Sequence, residues 1–214
     1  EEPIIEHCPG IPTIEYGGQV YNTVQIGEQC WLKENLNIGV MIPGGQNMEN
    51  NETIEKYCFG NDEANCNMYG GLYQWEEMMQ YTIEEGTQGI CPDGWHIPTD
   101  EEWKQLEGEV DSQFDYPDPE WDNYDERGND VGYHLKSISG WWDGSGSNQS
   151  GFTALPGGKY EGSFHSVLHS AYYWSSTEMY EIPSWGRLLN NDSPKSSRWG
   201  YDKLNGQSVR CLKD

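Results

Sequence analysis

The chain has 214 residues, 35% of them hydrophobic, with ten Trp, fourteen Tyr, 26 Gly and 11 Pro. It contains no run of about 18 apolar residues, so no segment reads as a membrane-spanning helix and membrane insertion is not expected. Its net charge of −24 is gathered in residues 1–150, which hold 30 acids against 5 bases; such a surface repels phosphate backbones and argues against nucleic acid as a partner.

Residues 1–17 read as an extended N-terminal segment that Cys8 would have to pin. No signal peptide is visible, and a start at Glu1 without Met is expected of a processed, mature chain. A hairpin follows. Val20, Val24 and Ile26 share one parity, Gly27-Glu28 makes the turn, and Cys30-Trp31-Leu32 returns. Residues 39–56 are polar, rich in Gly and Asn, and without a period. Tyr57 to Asn67 reads as a tight loop in which Asn61, Asp62, Glu63 and Asn65 offer the oxygen ligands that calcium takes. The EF-hand pattern is absent, and a solvated loop is the alternative. Leu72, Trp75 and Met79 at i, i+3 and i+7 predict a first helix within 71–84, with Met78 and Met79 filling core.

The sharpest local signal is Gly89 to Trp103. Thr99 and Glu102 form the capping box T-x-x-E. Asp100 and Glu101 set negative charge at the positive end of the coming helix. Trp103, Leu106 and Val110 then share a face, and Cys91 and Trp95 read as buried anchors. Residues 111–130 mix carboxylates with Phe114, Tyr116, Trp121 and Tyr124 and lack periodicity. Long loops of this kind tend to be functional or mobile, so Trp121 and Tyr124 are candidate contact residues, with a solvated loop as the alternative.

Residues 134–142 and 152–158 read as strands. The turn between them adds Asp143, Ser145 and Asn148 as oxygen ligands. Ser163 to Ser176 reads as a strand with His165, Val167, Ala171, Tyr173 and Ser175 on one parity. The last hairpin pairs 184–189 with 199–201 around a turn at 190–197, and 207–212 closes the chain. No repeat or low-complexity linker divides it, so a single domain spanning 1–214 is expected. The cysteines are Cys8, Cys30, Cys58, Cys66, Cys91 and Cys211. None is spaced as C-x-x-C, and six allow fifteen connectivities. An exported protein would oxidise them.

The stretch GICPDGWHIPTDEEW (89–103) carries a resemblance. So do YNTVQIGEQCWLKENL (21–36), YCFGNDEANCNMYGGLYQW (57–75), LKSISGWW (135–142), SGFTALPGG (150–158), YYWSST (172–177) and QSVRCLKD (207–214). In this order the blocks resemble the Fibrobacter succinogenes major paralogous domain family. The resemblance implies a secreted bacterial domain with a C-type-lectin-like fold, related to that of the formylglycine-generating, sulfatase-modifying enzymes. It implies the disulfides Cys58–Cys66 and Cys91–Cys211, which leaves Cys8 for Cys30. Residues 111–130 are longer than the family suggests at this place and read as an insertion. Residues and resemblance together predict an α+β domain: a loop-rich, twisted, mostly antiparallel sheet, two short helices and three disulfides. The expected location is extracellular or at the cell surface, with the signal removed.

Three functions follow as expectations. The first is carbohydrate recognition or adhesion. Aromatic rings stack on sugars while amides and carboxylates bond their hydroxyls. The candidate ligand-binding residues are Trp141, Trp142, Asp143, Asn148, Tyr172, Tyr173, Trp174, Trp185 and Arg187, beside Trp121 and Tyr124. Strand neighbours point to opposite faces, so about half of each aromatic pair belongs to the core. Calcium is the candidate cofactor, with Asn61, Asp62, Glu63 and Asp143 as its ligands. The sugar triplets E-P-N and Q-P-D of calcium lectins are absent. The second is catalysis. GWHIPTDEEW resembles the R-L-P-T-E-x-E-W run of formylglycine-generating enzymes, which use a close cysteine pair near the C-terminus. Cys211 stands alone there, so no enzyme is expected. His165 and His169 on one strand would lie about 13 Å apart, too far to share a metal. Ser175, Ser176 and Thr177 have no partners for a hydrolytic triad. The third is a structural module of a surface assembly, with another surface protein or a second copy of the chain as partner.

Overall fold

The computed structural model describes residues 6–144, 146–180 and 183–214. The chain opens with β1 (Thr13–Tyr16), β2 (Gln19–Ile26) and β3 (Gln29–Leu32), then the two-residue strands β4 (Val40–Met41) and β5 (Glu55–Lys56). Helices α1 (Glu63–Tyr69) and α2 (Trp75–Met78) precede β6 (Trp95–His96) and α3 (Asp100–Val110). After them come β7 (Asp125–Arg127), α4 (Val131–Leu135), β8 (Lys159–Tyr160) and β9 (Phe164–His165). The chain ends in β10 (Ser170–Glu178), β11 (Pro183–Asn190), β12 (Ser196–Asp202) and β13 (Leu212–Lys213). One sheet runs β1-β2-β3-β13-β6 and a second runs β10-β11-β12-β7, every pairing in both antiparallel. The fold is α+β, mostly sheet with short helices. Among the described residues, no helix is long and apolar enough to cross a membrane.

Aromatics build the core. Val24 pairs with Trp31, and Trp31 with Leu212, so these side chains share one face of the first sheet. They meet Trp103 and Leu106 of α3, and beyond these Ala171, Tyr173 and Leu189 of the second sheet. Helix α3 is therefore packed between two sheets, with the Trp31 and Trp103 ring centroids 5.0 Å apart. The opposite face of the first sheet, with Tyr21 and Leu32, packs on Trp75, Ile97 and Trp174 around Cys91 and Cys211. Each such ring removes on the order of 200 Å² from water, which lets a chain poor in aliphatics bury enough surface.

The three disulfides are Cys8–Cys30, Cys58–Cys66 and Cys91–Cys211. The hairpin turns at Gly27-Glu28 as expected, because Ile26 pairs with Gln29. The capping box is present: the Thr99 hydroxyl accepts from the Glu102 N–H, and the Glu102 carboxylate accepts from the Thr99 N–H.

Elsewhere the structure corrects the expectation. The leading segment is not merely extended, since Thr13–Tyr16 folds back on β2. Besides α3 the described residues form three short α-helices rather than one. Helix α1 begins inside the Cys58–Cys66 loop, capped by the Asp62 side chain, and runs on past Cys66 to Tyr69. The helix expected within 71–84 is only α2, because Gln80 and Tyr81 are left-handed at φ 53° and 60°. Residues 134–142 and 152–158 form no strands beyond isolated bridges of Lys136 with Ala154 and of Gly158 with Ala171. Positive φ at Gly140, Asn148 and Thr153 breaks any ladder there. Ser166 and Leu168, also left-handed, split the strand expected over 163–176 into β9 and β10.

Candidate functional site

Register sorts the second sheet into two faces. Arg187 of β11 and Arg198 of β12 are cross-strand partners, and both turn toward α3. There the Asp100 carboxylate receives Arg187 Nη1 at 2.8 Å and Arg198 Nη2 at 2.7 Å. Glu107 accepts from Arg187 Nε at 3.1 Å, from the Ser196 hydroxyl at 2.8 Å and from Arg127. Burial opposes the charge on Asp100, but the two guanidiniums outweigh it and hold the carboxyl far below its usual range. Burial also opposes the charge on Arg187, and the two carboxylates outweigh it and raise the pKa. This network clamps α3 to the sheet.

The other face carries the groove. Tyr172 pairs with Leu188, Leu188 with Ser197, and Ser197 with Glu126, one row across all four strands. The neighbouring rows place Trp199 opposite Gly186, and Tyr201 opposite Ser184. Gly186 makes room for a ring: a Cβ there would lie 2.8 Å from Tyr201 Cδ2. Tyr172, Trp199 and Tyr201, with Lys159, Leu188, Asn190, Ser197, Asp125 and Glu126, line a depression of about 470 Å³. The Lys159 ammonium sits 5.2 Å from the Tyr172 ring centroid and 5.8 Å from that of Tyr201. Burial raises the Tyr201 pKa, so its phenol stays protonated, and its hydroxyl has no hydrogen-bond partner among the described residues. Tyr124 extends the aromatic rim, its ring centroid 4.5 Å from Trp199 and 5.8 Å from Trp185. The Arg198 guanidinium stacks 3.4 Å from the Trp185 centroid.

The expected ligand residues divide. Tyr172 lines the groove but is only 8% exposed, Tyr124 packs against Trp199 of its lining, and Trp185 shares the Arg187 face of the sheet, where the Arg198 guanidinium stacks on it. Trp121, Trp141, Tyr173, Trp174 and Arg187 are buried and offer no face to a ligand. Trp121 and Tyr173 belong to the core around α3, and Trp174 packs with Trp75. Trp142 is 70% exposed beside His169 but does not line the groove. Asp143 is exposed, and Asn148 Oδ1 accepts from the Thr153 N–H within its own turn. His165 is on β9, where its Nε2 lies 2.8 Å from the Ser163 hydroxyl, and the intervening turn parts it from His169.

Two of the expected calcium ligands are hydrogen-bonded within the chain. Asn61 Oδ1 accepts from the Gly44 N–H at 2.7 Å, and Asp62 Oδ1 caps α1. Among the described residues, no three His, Cys, Asp or Glu side chains converge as metal ligands, so Asp62, Glu63 and Asp143 are not brought together. Ser145 lies outside the described residues. Cys211 is joined to Cys91 and is not a free thiol.

Trp199, Tyr201 and Lys159 escaped the reading of the sequence. The adjacent aromatics WW and YYW are the more conspicuous pattern. The signal was alternation: Trp199 and Tyr201 are two apart in a strand and so share a face.

Residues 24–213 match the Fibrobacter succinogenes major domain, and the chain belongs to that family. No curated protein matches the chain, and no solved structure does.

Proposed function

We propose that the chain is a non-catalytic extracellular binding module whose groove over β10, β11, β12 and β7 holds carbohydrate. The observation that carries this reading is the lining itself. Trp199 and Tyr201, with the edge of the mostly buried Tyr172 beneath Lys159, supply rings for the apolar faces of sugars, while Asn190, Ser197, Asp125 and Glu126 supply hydrogen bonds for hydroxyls. An aromatic surface with a few convergent polar groups is what a binding site for a small, amphipathic ligand needs. Two larger depressions among the described residues lack such a platform. The one beside the β2–β3 turn is lined by Glu6, Gln25, Glu109, His134 and Gln149, and the one at Met48 and Leu204 has a single ring, Tyr81. A C-type-lectin-like arrangement, in which irregular loops and a small sheet present the ligand surface, fits this placement. The disulfides fit an oxidising location.

A second reading, as a structural or protein-binding module, has one observation in its favour. Trp142 is mostly exposed and packs beside an exposed histidine, away from the groove. The test is binding to a panel of plant and microbial polysaccharides, in calcium and in chelator. Saturable binding that survives chelation supports the aromatic groove. Binding lost in chelator moves recognition to a cation, and no binding at all, with the fold intact by circular dichroism, favours the protein-binding reading.

A further inference from the structure

We propose that the groove selects saccharides bearing protonated amines, such as polymers of amino sugars with free amino groups, and that Lys159 holds the place such an amine would take. This rests on the carbohydrate reading and narrows it. The faces of Tyr172 and Tyr201 already accept a cation, since the Lys159 ammonium lies over both. Glu161 pairs with the same ammonium at 2.5 Å. Glu161 is about half exposed, and Asp125 and Glu126 line the same groove and are exposed. Lys159 is the sole cation among the lining residues.

A sugar that stacks on these rings must move Lys159 aside. A neutral sugar replaces its volume but not its charge, and the cation–π contact and ion pair are lost. A protonated amino sugar restores both, with its ring on the aromatic platform and its ammonium near Glu161 or Glu126. The whole-chain charge of −24 acts in the same direction, drawing in a polycation and repelling uronates or sulfated chains. N-acetylation removes the positive charge and with it the preference. Lys159 thus competes with the ligand it imitates.

The experiment is calorimetric titration of the whole chain with glucosamine, N-acetylglucosamine and cellulose oligomers of matched length. The glucosamine oligomer should bind about tenfold more tightly than either neutral one, which is ~1.4 kcal/mol. Lys159→Ala should tighten that binding several-fold. Glu161→Gln and Glu126→Gln should weaken it. Trp199→Ala, which leaves the charge unchanged, separates the groove from general attraction of a polycation to an acidic chain: it should abolish saturable binding. Equal or tighter binding of the neutral oligomers, weaker binding by Lys159→Ala, or binding indifferent to Trp199→Ala overturns the amine preference. The first of these outcomes leaves the carbohydrate reading standing, whereas failure of all three oligomers to bind sinks both.

Discussion

Glu107 has one of the most constrained carboxylates in the molecule. It lies on α3, is 1% exposed, and takes hydrogen bonds from Arg127, Arg187 and Ser196. In a sequence such a residue looks like any helical glutamate. Arg187 was open to the same misreading, as a sugar-contacting arginine beside Trp185. What decides its role is the pairing of β11 with β12, which turns Arg187 and Arg198 toward α3. That pairing is a long-range fact that no local pattern carries. Removing one partner of a buried charge group leaves the others uncompensated, at about 3–5 kcal/mol. Glu107→Ala should therefore lose that much in denaturant unfolding with the disulfides intact. A loss under about 1 kcal/mol, the scale of a surface pair, would show that the network contributes little.

At the scale of elements, local chemistry was legible and pairing was not. Helix α3 starts where the capping box puts it, and the β2–β3 hairpin turns at its Gly-Glu step. Both signals are contained in a few consecutive residues. Strand β7 is not legible because its partner among the described residues, β12, lies about seventy residues on, and because its own sequence, DER, has no strand preference. The stretches 134–142 and 152–158 misled because Leu135, Trp141, Phe152 and Ala154 are buried without a ladder, and burial alone mimics a strand.

One contact joins three elements in a way pH can test. His96 of β6 lies 3.0 Å from Glu102 of α3 through Nε2, and 2.7 Å from Asp214, just past β13, through Nδ1. Burial disfavours its charge, but the hydrogen bonds and charges of the two carboxylates outweigh burial and raise its pKa. A raised folded value means stability that is complete below about pH 6.5, the unfolded value, and is lost as pH climbs through the folded one. His96→Gln should therefore be less stable than the native chain near pH 6, and the gap should close on the alkaline side. A gap that widened with pH would contradict the clamp.

For the molecule as a whole, the family resemblance foretold more than composition did. The pairings it implied, and the one left over, are the three disulfides present. Residues 24–213, which hold five of the six cysteines, match the family. The groove was not legible in the same way. It is assembled from β7, β10, β11, β12 and Lys159, and only Tyr172 of its lining rings stood out in the sequence. The disulfides differ in the loops they close. Cys91–Cys211 spans 120 residues and Cys58–Cys66 spans 8. In the chain-entropy model the first stabilises by roughly 5 kcal/mol and the second by roughly 2.5 kcal/mol. Replacing each pair by serine should reproduce that order in thermal unfolding, and the reverse order would mean that strain or residual structure dominates.

Sugar binding by one aromatic sheet face is the function proposed for the chain. Affinity electrophoresis of native chain and Trp199→Ala, on gels containing a polysaccharide that the panel identifies, tests it most directly. Trp199 is half-buried on the outer face and takes no part in the Asp100–Glu107 network, so the variant is expected to fold. The account predicts retardation of the native chain and its loss in Trp199→Ala, at about 1–3 kcal/mol for one stacking ring. Equal retardation of the two would place the sugar elsewhere and contradict the account.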